Sequence, residues 1–276
     1  MKRSIFIAGF PSAGKTTFLA SLFHVLDEKR KHSKGYYVEL PENISYINKV
    51  RGQWADVNEL ERTRTQTVEE LLFKIKKDQT DVLELTVPDF SGEIFRGILK
   101  DRRLERTISE RIKSSDIVLF FIHPENIQGP IRIDNVIANT DAPETLEGEE
   151  DDTDSVENAF EYLEAPTQSL IVDLFQIFRT VKPTLKIAVI VSAWDVVQKT
   201  NKSPDHFVEK NLSLLSQYIT TNEIGQIFGL SANGGDIQKD RDQILDMEPS
   251  DRITLYEGTK TYSGYDHLIE WLINEK

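Results

Sequence analysis

The chain has 276 residues, 39% of them hydrophobic and 29% charged, which is enough for one large α/β domain or two small ones. Cysteine is absent, so disulfides, thiolate metal sites and a cysteine nucleophile are excluded, and the five histidines show no metal-ligand spacing. The formal net charge of -13 is local: residues 133–178 hold 13 acids and no Lys or Arg, so the rest of the chain is balanced and offers no basic stripe for nucleic acid.

No apolar run approaches the roughly 20 residues that a membrane-spanning helix needs. The opening MKRSIFIAGF runs straight into glycines and a lysine, unlike a cleavable signal peptide. Neither a lipidation motif nor a polybasic amphipathic helix is present, so the reading is a cytoplasmic protein without membrane attachment.

In chain order, residues 4–8 form a short apolar run suited to a central strand. Residues 16–30 follow as a helix with Phe18, Leu19, Leu22, Phe23 and Leu26 on one stripe. An edge strand at 35–40 and a helix at 45–61 come next. Residues 71–75 and 82–87 read as a hairpin, because the connection between them is too short for a crossover. The spacing then predicts one long charged helix over 93–114, a buried strand over 116–122 and a helix over 167–181. A strand at 185–191, a helix at 206–219, a strand at 224–230 and a helix at 265–273 complete the order. This alternation predicts an α/β three-layer sandwich, with one mostly parallel sheet between helices and one antiparallel strand. Residues 1–276 read as a single domain with two insertions. The one at 139–165 is acidic and reads as a mobile loop, either merely solvating or docking a basic partner. The one at 233–264 is polar and reads as a long irregular excursion.

Gly9-Phe10-Pro11-Ser12-Ala13-Gly14-Lys15-Thr16 matches the phosphate-loop pattern GxxxxGK[ST], between a strand and a helix. Glycines let the backbone curl so that several N–H groups face one anion, and the helix start favours negative charge. Gly9, Pro11, Ser12, Ala13, Gly14, Lys15, Thr16 and Thr17 are therefore candidate phosphate contacts. Lys15 would neutralise the β- and γ-phosphates, and the Thr16 hydroxyl would coordinate Mg²⁺. Asp89 ends a hydrophobic strand in VPDFSGE, where it would reach Mg²⁺ through water, and Gly92 would offer its N–H to a γ-phosphate. Asp195 ends the next candidate strand, in SAWD. It is either a helix N-cap or turn residue or a reader of guanine, whose N1–H and 2-amino group both donate to a carboxylate whereas adenine has an acceptor at N1. Ser231 and Ala232 follow the last strand of the series, where a backbone N–H would meet the guanine O6.

Together these residues resemble the TRAFAC-type GTPases, the class of Ras-like and translation-factor GTPases, over residues 1–232. GFPSAGKT is similar to their first motif, DFSG to the third, SAWD to the fourth and SAN to the fifth. More narrowly, GFPSAGKTTFLASLF, VPDFSGE and FFIHPENI resemble bacterial double-GTPase-type proteins of conflict or defence systems. The resemblance implies a Ras-like G domain, GTP or GDP and Mg²⁺ as ligands, and a protein effector or activating partner. It also implies a threonine that senses the γ-phosphate, for which Thr63, Thr65 and Thr67 are candidates, with Thr65 or Thr67 favoured. Arg62 and Arg64 are candidates for an arginine finger in cis.

Two positions depart from the family pattern. The fourth motif is usually NKxD, and here Ser192 and Ala193 replace Asn and Lys. Trp194 would either cover the base in place of the lysine or be buried. Glu93 stands where Ras-like enzymes carry a water-orienting glutamine, which implies slow hydrolysis involving Lys15, Glu93 and the threonine. Three readings stay open: a hydrolysing switch, a nucleotide-holding scaffold subunit, and a P-loop ATPase or kinase.

Overall fold

The computed structural model describes residues 2–31, 35–39, 45–58, 60, 71–77, 80–87, 92–130 and 165–275. One sheet of nine strands runs through them, in the order β2-β3-β4-β1-β5-β6-β7-β8-β9. The strands are β1 (Arg3–Gly9), β2 (Tyr36–Glu39), β3 (Leu71–Lys77), β4 (Thr80–Val87), β5 (Ile117–Ile122), β6 (Lys186–Ser192), β7 (Ile227–Ser231), β8 (Thr254–Glu257) and β9 (Lys260–Ser263). The five central strands, β4-β1-β5-β6-β7, are mutually parallel. Their carboxyl ends therefore share one edge of the sheet, where open α/β folds bind ligands.

The helices are α1 (Lys15–Lys31), α2 (Ser45–Ala55), α3 (Glu93–Asp101), α4 (Arg106–Ser114), α5 (Thr167–Val181), α6 (Trp194–Val197), α7 (Pro204–Asn211), α8 (Ser213–Asn222), α9 (Arg241–Leu245) and α10 (Asp266–Asn274). Strand pleating sorts the core into two layers, because alternate residues face opposite sides. Ile5 and Ile7 of β1 join a cluster with the apolar stripes of α1, α2 and α10. Phe6 and Ala8 join a second cluster with α3, α4, α5, α7 and α8. Such two-sided burial explains why β5 reads as an unbroken apolar run, IVLFFI. No described helix is long and apolar enough to cross a membrane.

Five expectations are corrected. The sheet has two strands opposing the rest, β3 and β8, and hence four antiparallel pairings rather than the single antiparallel strand expected. The second arises because residues 233–264 are not irregular. They contain α9 and the β8–β9 hairpin, which turns through Gly258 at φ +55 and extends the sheet beyond β7. Its four-residue strands are too short to establish a period in sequence. The helix expected over 93–114 breaks into α3 and α4 at Arg102, which is left-handed (φ 51), although no Gly or Pro marks the break. The helix expected over 206–219 likewise divides at Leu212. Helix α2 ends at Ala55 rather than near residue 61, and the chain turns through Val57 at φ 54. The acidic insertion expected at 139–165 lies outside the described residues except for Ala165.

Candidate nucleotide site

The loop between β1 and α1 is a curled cradle. Gly14 has φ +90, and a Cβ there would lie 2.8 Å from both Cβ and Oγ of Ser192, so only glycine fits. Ser12 is also left-handed, at φ 59. Lys15 is 2% exposed, and its ammonium donates to Gly9 O at 2.7 Å and Phe10 O at 3.1 Å. A buried cation is costly unless its donors are satisfied, and the loop's own carbonyls hold it in place. Gly92, with φ +81, precedes α3 and packs directly on this cradle: a Cβ there would lie 2.5 Å from Gly9 O and 2.7 Å from Lys15 Nζ. Gly92 thus meets the first motif beyond the ends of β1 and β4.

Two side chains from other strand ends fasten the loop. Asn126, in the turn after β5, donates to Ser12 O at 3.0 Å. The Ser192 hydroxyl, at the end of β6, lies 2.9 Å from Ala13 O and 3.2 Å from Ile122 O, and its one proton serves one of them at a time. Ser192, which stands where the family pattern has Asn, therefore fastens the loop with a small side chain, as the close approach of Gly14 requires. Ser192→Ala is expected to lower stability by about 1 kcal/mol, read from urea unfolding, because two buried carbonyls lose their shared donor.

A cavity of about 370 Å³ runs from this loop across the carboxyl ends of β5, β6 and β7. Gly14 and Thr17 line one end. Asp195, Ala232 and Asn233 line the other, with His123, Glu125, Ala193 and Val196 between. Asp195 lies in the first turn of α6, and burial pushes its carboxyl above the ordinary aspartate range, helped by the nearby charges of Asp236 and Asp240. The Ser231 hydroxyl pulls the other way, yet it is buried and makes no full hydrogen bond among the described residues. The cavity is therefore lined by a carboxylate whose charge burial disfavours, with the buried Ser231 hydroxyl beside it.

Trp194 does not cover the cavity. It is 1% exposed, packs edge-on against Phe207 with centroids 5.9 Å apart, and lies so close to β7 that a Cβ on Gly229 would come within 2.8 Å of its ring. Ala193 is left-handed (φ 44) and contributes no side chain long enough to cover a base. Pro11 and Thr16 are half-buried in the loop and at the start of α1, and Glu93 is exposed at the start of α3. Asp89, Thr63, Thr65, Thr67, Arg62 and Arg64 lie outside the described residues.

Several site residues are not among the sequence candidates. His123, Glu125 and Asn126 follow β5 in HPEN, and the signals for them are their place just beyond a buried strand and the family likeness of FFIHPENI. Burial lowers the His123 pKa, while Glu125 and Asp195 raise it, so the ring is neutral at pH 7. Trp54 of α2 donates its indole N–H to Ala232 O at 3.1 Å and Asn233 Oδ1 at 3.0 Å, and so holds the fifth motif. Arg252, itself 3% exposed, donates to Ala55 O at 2.9 Å and sits over the Trp54 ring at 5.5 Å. Trp54→Phe removes both hydrogen bonds while keeping an aromatic ring. It is expected to weaken nucleotide binding about tenfold, measured by calorimetry.

With this geometry in hand, the comparison with known families is decisive: the Double-GTPase 1 pattern matches residues 6–271. The chain belongs to the Double-GTPase 1 family. Solved structures similar to this family member include the GTPase-like domain of Ski7 from S. cerevisiae, bound to GTP. The identity is 16% and the TM-score 0.45, covering 100% of this chain and 51% of that one. The same domain bound to GDP and inorganic phosphate matches at 13% identity and TM-score 0.41, covering 83% and 43%. The Arl6 BBS3 small GTPase of Trypanosoma brucei matches at 13% identity and TM-score 0.40, covering 89% and 96%. The chain thus spans about half the length of the Ski7 structures. No curated protein matches it.

Proposed function

We propose that this Double-GTPase 1 domain binds GTP with Mg²⁺ and acts as a molecular switch with slow or partner-stimulated hydrolysis. The observation that carries the reading is the single cavity that joins Gly14 and Thr17 to Asp195 and Ala232. A phosphate cradle at one end and a carboxylate facing the other suit a guanine nucleotide lying across the strand ends. Lys15 and the loop N–H groups would hold phosphate, and Asp195 would accept from N1–H and the 2-amino group. Thr16 and Asp89 offer hard oxygen donors suited to Mg²⁺, which when bound would offset phosphate charge. The packing of Gly92 against Lys15 supports a response of the α3 start to a γ-phosphate. A place in a bacterial conflict or defence system accords with the double-GTPase likeness. Calorimetry with Mg²⁺ tests the guanine part: GTP binding well above ATP is expected, and equal affinities would overturn it.

A second reading, a GTP- or GDP-holding scaffold with little turnover, is favoured by Glu93. This exposed carboxylate begins α3 beside the Gly92 contact, where phosphate charge would repel it. Single-turnover hydrolysis with and without partners separates the two. Partner-stimulated turnover that disappears in Lys15→Ala counts against the inert scaffold.

A further inference from the structure

Ala193 leaves one wall of the base pocket without the side chain that NKxD motifs place there, and Trp194 is committed to the core. Two aliphatic side chains line the pocket and belong to neither hydrophobic cluster. Val196 on α6 is 45% exposed, an unusual position for a large apolar residue in this chain. Ile237 is half-buried and comes from the segment after β7. Since their apolar surface packs into no core, a flat purine against them would remove it from water.

The segment that carries Ile237 is built to stay in place. Asp236 N–H donates to Asp240 Oδ2 at 3.0 Å, and Gln238 N–H donates to Asp236 Oδ1 at 2.9 Å. Backbone N–H groups of Lys239 and Asp240 both donate to Asp236 O, at 3.1 and 2.7 Å. Lys239 and Asp236, which also line the pocket, form an ion pair of 2.5 Å. Arg241 then ties it to the chain after α2, donating to Val57 O at 3.1 Å and Asn58 Oδ1 at 3.2 Å. Such a wall needs little ordering when a ligand arrives.

We propose that Ile237, together with Val196, covers the base of the bound nucleotide in place of the lysine missing at Ala193. Residues 235–239 thereby become an affinity-determining wall of the site. This rests on the guanine-nucleotide reading and adds a division of labour to it. Asp195 reads which base is present, while Ile237 grips any purine face.

The test uses GDP and IDP, which share a purine face but differ in the 2-amino group. Ile237→Ala is expected to weaken both about tenfold by the loss of one buried aliphatic side chain, leaving their ratio unchanged. Adding Ala193→Lys to Ile237→Ala is expected to restore most of the lost affinity, since a lysine stem would cover the same face. Ligand-free melting temperatures verify that both variants fold. Wild type that prefers GDP over ADP while Ile237→Ala binds GDP normally overturns this inference alone. Wild type that binds ADP as tightly as GDP overturns the guanine reading and the inference with it.

Discussion

Lys15→Ala is expected to weaken GTP binding by about a hundredfold or more, because two or three charge-assisted hydrogen bonds to phosphate are lost. Calorimetry or a fluorescent nucleotide displacement assay measures it. The same ammonium bonds Gly9 O and Phe10 O, so the alanine also removes that donor from two loop carbonyls, of which Phe10 O keeps the Ala13 N–H at 3.3 Å. Lys15→Arg is the informative companion. It keeps the charge, but a planar guanidinium does not fit a site so tight that even a Cβ on Gly92 would lie 2.7 Å from Lys15 Nζ. Strong binding loss in Lys15→Arg with an unchanged melting temperature points to geometry rather than charge as the requirement. GTP affinity in Lys15→Ala within threefold of wild type would remove the loop from the nucleotide site altogether.

Asp195→Asn is expected to change two properties in opposite directions. Its effect on the ligand is to exchange preference. The amide nitrogen repels the N1–H and 2-amino donors of guanine and suits the 2-oxo group of xanthine, so GTP weakens by about a hundredfold while xanthosine triphosphate gains. Its effect on the ligand-free protein is stabilising. The folded-state pKa of Asp195 is raised, so the folded protein holds this proton to higher pH than the unfolded chain does. Its contribution to stability therefore falls as pH rises through that window, and at neutral pH the buried carboxylate near Asp236 and Asp240 is a net cost. Removing the charge should raise the melting temperature by roughly 2 °C at pH 7. In acid strong enough to protonate Asp195 in both states, the two melting curves should converge. A difference that persists there would show that burial of charge is not its origin.

What each strand end contributes explains which parts were legible. The phosphate loop is a local object: eight consecutive residues specify its curl, and glycine at position 14 is readable because backbone conformation is decided locally. The alternation of Ile5 and Ile7 with Phe6 and Ala8 is local too, and it separates the two core layers without any knowledge of partners. Asp195 was recognisable by its place after a strand, but the raised pKa that accompanies it comes from burial and from Asp236 and Asp240, some forty residues further on. The two helix breaks at Arg102 and Leu212 left no Gly or Pro for a reader to find, since tertiary packing overrides spacing there.

By itself, then, the sequence determined the curl of the loop at residues 9–16, the chain order of β1 to β7, and a carboxylate just beyond β6, because each rests on short-range backbone and patterning rules. Only the tertiary structure decided that Ser192 fastens the loop, that Trp194 belongs to the core, and that Trp54 and Arg252 support the fifth motif from distant elements. It also converted residues 233–264 from an expected excursion into a wall of the pocket and a hairpin on the sheet. These are contacts between segments far apart in the chain, and their energies depend on who the neighbour is. No local period or motif records that.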